Sequence, residues 1–152
     1  MKLNIIQIAI LSVATLSFSS HAVSDKDKAK MMSLIKESSP YVAGMGKSAH
    51  EVCQDMANDM VKKYGNKLSE LGKTPSDIRE SAYGICFDAV SSAESAKSMD
   101  EVTMWKSAAM QNVNNTFYGD NVKSPARSFL VETIDHSEKL AKTIAFAMEI
   151  SQ

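Results

Sequence analysis

The sequence predicts an all-α protein, an antiparallel bundle of four to five helices with one intrachain disulfide from Cys53 to Cys86. Three observations carry that expectation. Apolar residues recur at steps of three and four through most of the chain, the spacing of a helical face. No run alternates long enough to read as a strand. The two cysteines, the full complement of the chain, lie inside two such helical patterns behind an N-terminal stretch that reads as a secretory signal.

That stretch, Met1 to Ala22, has Lys2, an apolar run from Leu3 to Phe18 and a small-x-small end at Ser20-His21-Ala22, so cleavage is expected after Ala22. The apolar run is too short and too interrupted by Ser and Thr for a stable membrane span. No lipid-attachment cysteine follows, and the product is expected to be soluble in the periplasm or secreted. Cleavage leaves 23–152 as a single helical-bundle domain of 130 residues, long enough for one continuous core. Loss of Lys2 takes the net charge from −1 to −2. So even a balance disfavours nucleic acid or a strongly anionic membrane surface as partner.

The first helix is expected over Ser24–Ser38, with Ala29, Met31, Met32, Leu34 and Ile35 on its apolar side and Ser39-Pro40 ending it. The second carries Met45, Ala49, Val52, Cys53, Met56, Met60, Val61, Tyr64, Leu68 and Leu71 on one face. The third, with Ile78, Ala82, Ile85, Cys86, Ala89, Val90 and Ala93, starts at Thr74-Pro75-Ser76-Asp77. There a hydroxyl can cap, proline suits the first position and Asp77 favours the positive end of the dipole.

Pairing the two cysteines places a demand on the turn. A helix rises about 1.5 Å per residue, and bridged Cα atoms lie within about 7 Å. An unbroken second helix to Leu71 would put Cys53 roughly 28 Å below the turn and Cys86 only about 17 Å below it. A stop at Gly65 would bring Cys53 to about 18 Å and match the levels. A break at Gly65, with Asn66 to Gly72 as a short helical connection, is therefore expected.

Ser98-Met99-Asp100-Glu101 has capping-box spacing and opens the fourth helix, whose core stripe is Val102, Trp105, Ala109, Val113 and Thr116 and whose stop is Gly119. Trp105 is expected to fill the bundle. Ser124-Pro125 opens a last helix of some 25 residues with Leu130, Ile134, Ser137, Leu140, Ala141, Ile144 and Met148 inward. Phe146 and Ile150 lie off that stripe. They either cover the bundle end or form an exposed anchor for a partner.

Chemistry is thin. Gly44-Met45-Gly46-Lys47-Ser48 has the tail of a phosphate-binding loop, but Tyr41 stands where the pattern needs glycine and no strand precedes it. The ten methionines, with His50, Met56 and Met60 sharing a face with Cys53, offer soft ligands for Cu(I). A disulfide removes the thiolate, however, and Met56 and Met60 stand where the core needs apolar residues. Met31 or Met32 with His136 could grip a haem from opposite ends of a bundle. The histidines left after cleavage, His50 and His136, lie in no catalytic motif.

With no catalytic residue and no cofactor nominated, the expected function is that of a non-catalytic exported binding protein. An immunity or inhibitor protein that neutralises a toxin or envelope enzyme by protein–protein contact fits this build. The alternative is a periplasmic metal (Cu) or haem carrier.

Overall fold

The computed structural model describes residues 23–38, 41, 47–96 and 98–151. The signal peptide expected over Met1–Ala22, the Ser39-Pro40 stop and Gly44–Gly46 of the loop motif lie outside the described residues. Among the described residues five helices follow in order: α1 (Asp25–Ser38), α2 (Ala49–Ser69), α3 (Pro75–Ser95), α4 (Met99–Thr116) and α5 (Pro125–Glu149), with a 3-10 turn over Gly119–Lys123. Among the described residues no strand occurs, and no helix is long and apolar enough to cross a membrane.

Capping chemistry sets most of the starts. The Ser48 hydroxyl accepts from the Glu51 amide at 3.2 Å while the Glu51 carboxylate accepts from the Ser48 amide at 2.6 Å, a box that opens α2. Thr74 and Asp77 form the same reciprocal pair ahead of α3, with Pro75 in the first turn. Ser124 accepts from the Ala126 amide at 3.2 Å and is followed by Pro125. The box expected at Ser98 and Glu101 does not form. Ser98 is extended at the helix start, but its hydroxyl makes no capping bond.

α2 runs unbroken through Gly65, contrary to the expected stop there, and closes instead at Gly72, whose φ is +74°. The Lys73 amide donates to the Leu68 carbonyl and the Gly72 amide to that of Ser69, each at 3.0 Å, the paired bonds of a left-handed helix end. Packing explains why Gly65 yields. Glycine inside a helix costs about 1 kcal/mol, whereas continuing the helix buries Leu68 to 2% exposure, a gain of about 2 kcal/mol. The level mismatch is absorbed by the turn, because α3 starts about 7 Å below the top of α2. Five residues reach that far with ease. Gly65→Ala, which meets open space, is accordingly expected to raise stability by about 0.5–1 kcal/mol. Gly72→Ala, forced into a left-handed backbone, is expected to lower it by about 1–2 kcal/mol. Urea midpoints of the two variants check the pair.

α3 and α5 run parallel and form the central pair, brought close by the buried alanines Ala82, Ala89, Ala93, Ala141 and Ala145. α2 packs antiparallel across one side of that pair and α4 across the other. One core cluster surrounds the Cys53–Cys86 disulfide with Val52, Met56, Val90, Val102, Leu140 and Ile144. A second joins Met60, Tyr64 and Leu68 to Ile78 and Phe129. α1 lies over the far end of α5, where Met31 meets Phe146 and Ala147 and the buried Ser38 and Thr143 hydroxyls sit 3.2 Å apart. α4 stops at Thr116 with Phe117 extended, and Gly119, φ +59°, opens the 3-10 turn rather than ending the helix.

Candidate functional site

The disulfide has an S–S distance of 2.07 Å and a Cα–Cα distance of 5.6 Å, and both cysteines are fully buried. It ties α2 to α3 inside the core and presents nothing to solvent. The nominated anchor pair is placed at the bundle end. Phe146 is 2% exposed beneath α1, with the Lys30 ammonium 4.4 Å from its ring centre, and Ile150 is partly buried beside it. Sequence could not decide this, because covering Phe146 depends on where α1 docks.

The soft-ligand candidates separate. Met56 and Met60 are core residues, and the Met56 sulfur accepts from the Ser137 hydroxyl at 3.6 Å. His50 is exposed, with Nδ1 2.8 Å from the Tyr83 hydroxyl and Nε2 2.7 Å from the Gln54 amide. Met31 packs at the level of Phe146, ten residues and so about 15 Å along α5 from His136. That is too far for two axial ligands of one iron. Among the described residues, no group of three or more His, Cys, Asp and Glu side chains converges as a metal site.

Two polar seams fasten helices together. Glu132 on α5 accepts from Lys63 at 2.6 and 2.7 Å and from the Tyr64 hydroxyl at 2.6 Å, with His136 Nε2 at 3.6 Å. Burial alone would raise the Glu132 carboxyl. The hydrogen bonds from Lys63 and Tyr64, with the charges of Lys63 and His136, outweigh that and hold it below the ordinary range. Burial and the bond to Glu132 push Tyr64 up to about 12. Tyr41, stacked edgewise on His136 at 5.2 Å, is also raised, by burial first and then by the charges of Asp59 and Glu132. The second seam joins Glu138 to Lys106 at 2.7 Å and to Lys142 at 2.8 Å. Burial opposes ionisation of Glu138, but bonds from both lysines keep its carboxyl lowered.

The histidine beside a carboxylate resembles part of a catalytic set, but its surroundings are those of a clamp. Glu132 has its oxygens taken by Lys63 and Tyr64. The hydroxyls of Thr133 and Ser137, flanking His136 on α5, donate to the Phe129 and Thr133 carbonyls at 2.8 and 2.7 Å. Both hydroxyls thus turn back onto the backbone of their own helix.

Among the described residues, one open feature is polar, a depression of about 280 Å³ lined by Tyr41, Asp55, Asn58, Asp59 and Lys62, and another is apolar. α4 packs well on α5 but touches α3 sparingly, burying only Val102 and Val113 fully. Between the three helices lies a groove of about 270 Å³, with Ile85 and Asp88 from α3, Trp105, Ala109 and Val113 from α4, and Leu130 and Ile134 from α5. At Leu130 it meets a second depression of about 200 Å³ that reaches Ile78 and Phe117. Trp105, expected in the core, packs against the cluster around the disulfide and also forms a wall of this groove. It is partly buried, and its Nε1–H donates to the Asp88 carboxylate at 2.7 Å. The α4 stripe was readable as a helical face. That much of it borders a gap was not, since the gap follows from the close α3–α5 approach set by alanines.

No family model matches the chain, and neither a curated protein nor a solved structure shows detectable similarity to it.

Proposed function

We propose that this chain is an exported, non-catalytic binding protein that holds part of a partner protein in the groove between α3, α4 and α5. The observation that carries the reading is the unfilled apolar groove itself. Its apolar floor is made of buried or partly buried side chains of three helices, Ile85, Trp105, Ala109, Val113, Leu130 and Ile134, with Asp88, Asn112 and Thr116 on an exposed rim, so an apolar group can settle on it at little conformational cost. The buried disulfide supports export, because such bonds persist in oxidising compartments. The three hydrogen bonds that Glu132 accepts from Lys63 and Tyr64 support a non-catalytic role, since they join α2 to α5. An immunity or inhibitor protein that neutralises a toxin or an envelope enzyme is the class this reading fits.

Ala109→Trp places a bulky ring in the groove from a partly buried position, and Asn112→Trp does so from its exposed rim. The full chain, exported and recovered from the cell envelope, is expected to retain a protein partner that both variants lose by at least about tenfold. Retention of melting temperature in at least one variant shows that the fold is intact. Equal capture by parent and variants, or no partner with any of them, overturns the proposal.

A further inference from the structure

We propose that α4 is a cover that lifts from the α3–α5 pair while the disulfide-tied α2–α3 hairpin stays folded, with Lys106 as its latch and the Gly119–Lys123 turn as its slack. Such a movement is independent of anything bound in the groove. The apolar anchorage of α4 is thin. It buries two of its 18 residues fully, Val102 and Val113, whereas α2 buries seven of 21 and α3 six of 21. Fewer buried contacts mean a lower cost of local opening, so α4 opens well before either of those helices. Beneath Trp105 and Ala109 the groove leaves part of its inner face without neighbours, and a gap forfeits the contacts that packing would supply. Neither end is fastened by a side chain. Ser98 makes no capping bond, and the last turn has no basic residue and gives way to an extended Phe117.

What holds α4 is polar and sits at one level. Adjacent residues on a helix point about 100° apart, so Trp105 turns to Asp88 on α3 while Lys106 turns to α5. The indole lies 2.7 Å from Asp88, and the ammonium lies 2.8 Å from Asp135 and 2.7 Å from Glu138. Among the described residues, one further polar bond joins α4 to another helix, from the Arg127 guanidinium to Asn114 at 3.1 Å. The Glu138 side chain is 10% exposed, and a carboxylate so far from water is costly without cations. Lys142, on the same helix, stays bonded to it at 2.8 Å when α4 leaves. Lys106 therefore favours closure without making the lifted state prohibitive.

Both ends of α4 are tied, so lifting needs extra chain. A 3-10 turn advances about 2 Å per residue and an extended chain about 3.3 Å. Straightening the five residues Gly119–Lys123 thus releases about 6 Å, room enough to admit water beneath Trp105. Gly119, Asn121, Val122 and Lys123 are already exposed, so little packing resists the change. Lifting frees Trp105 from Asp88 and bares Ile85 and Ile134.

Amide hydrogen exchange of the full chain, with its disulfide intact, tests the movement. Amides of α4 are expected to exchange at least about tenfold faster than those of α2 and α3 beside the cysteines. Lys106→Met keeps the aliphatic stem and removes the ammonium. It is expected to speed α4 by at least about a further tenfold and to leave α2 and α3 unchanged. Trp105 is the single tryptophan of the chain, so acrylamide quenching of its emission is expected to rise in the same variant, well below the melting temperature. Glu138→Gln keeps an acceptor but removes the charge, and is expected to act in the same direction, which preserves the test if Lys106→Met fails to fold. Exchange of α4 at the rate of α2 and α3, or acceleration of all three helices together in the variants, overturns the proposal. So does a fast-exchanging α4 that neither variant alters, because Lys106 is then no latch.

Discussion

A Cys53→Ala/Cys86→Ala protein is expected to unfold with about 4 kcal/mol less stability than the parent, and to melt about 15 °C lower. The cysteines are 33 residues apart. Closing a loop of that size removes conformational freedom from the unfolded chain worth about 3.5–4 kcal/mol. Both cysteines are fully buried beside Met56 and Ala89, so loss of the sulfur atoms also thins packing at the centre of the α2–α3 contact. Thermal melts and urea titrations of parent and double variant measure the difference. A fall of less than about 3 °C would mean that helix packing alone fixes the hairpin.

Met56→Ala is expected to cost about 3 kcal/mol, and Met56→Leu less than about 1.5 kcal/mol. Met56 is completely buried in the cluster around the disulfide, where it meets residues of α3 and α5. Truncation to alanine leaves a cavity that rigid helices cannot collapse, whereas leucine keeps the volume and forfeits only the weak bond from Ser137. The pair separates packing from coordination, because leucine has no sulfur. A rise in melting temperature on adding Cu(I), present in the parent and lost in Met56→Leu, would assign the sulfur to a metal and overturn the packing account.

Where sequence and structure agree, a local rule and the tertiary packing pointed the same way. The stripes of α2, α3 and α5 carry a strong 3.6-residue period, and Pro75 and Pro125 sit in the first turns that their fixed backbone angle suits. The Cys53–Cys86 bond followed from two buried stripes and an exported-looking chain. Where they differ, a neighbour decided the outcome. Gly65 lost its role as terminator because Leu68, three residues on, had Ile78 and Phe129 to pack against. Ser98 and Glu101 have the spacing of a capping box without its bonds, while Ser48 and Glu51, with the same spacing, form one. The candidate site was the least legible part. Asp88 and Trp105 lie 17 residues apart on two helices, and their hydrogen bond depends on a register that neither pattern specifies alone.

The position of α5 has a consequence for how the chain reaches this state. It packs against each of the other four helices, yet it is the last of them to leave the ribosome. Until then the stripes of α1 and α4 have lost their main packing surface, and the α2–α3 hairpin has only one side of its core covered. Closure of the bundle therefore waits on α5 and on contacts of high sequence separation such as Met56 with Ser137 and Ser38 with Thr143, which makes its docking, rather than helix formation, the slow step of folding.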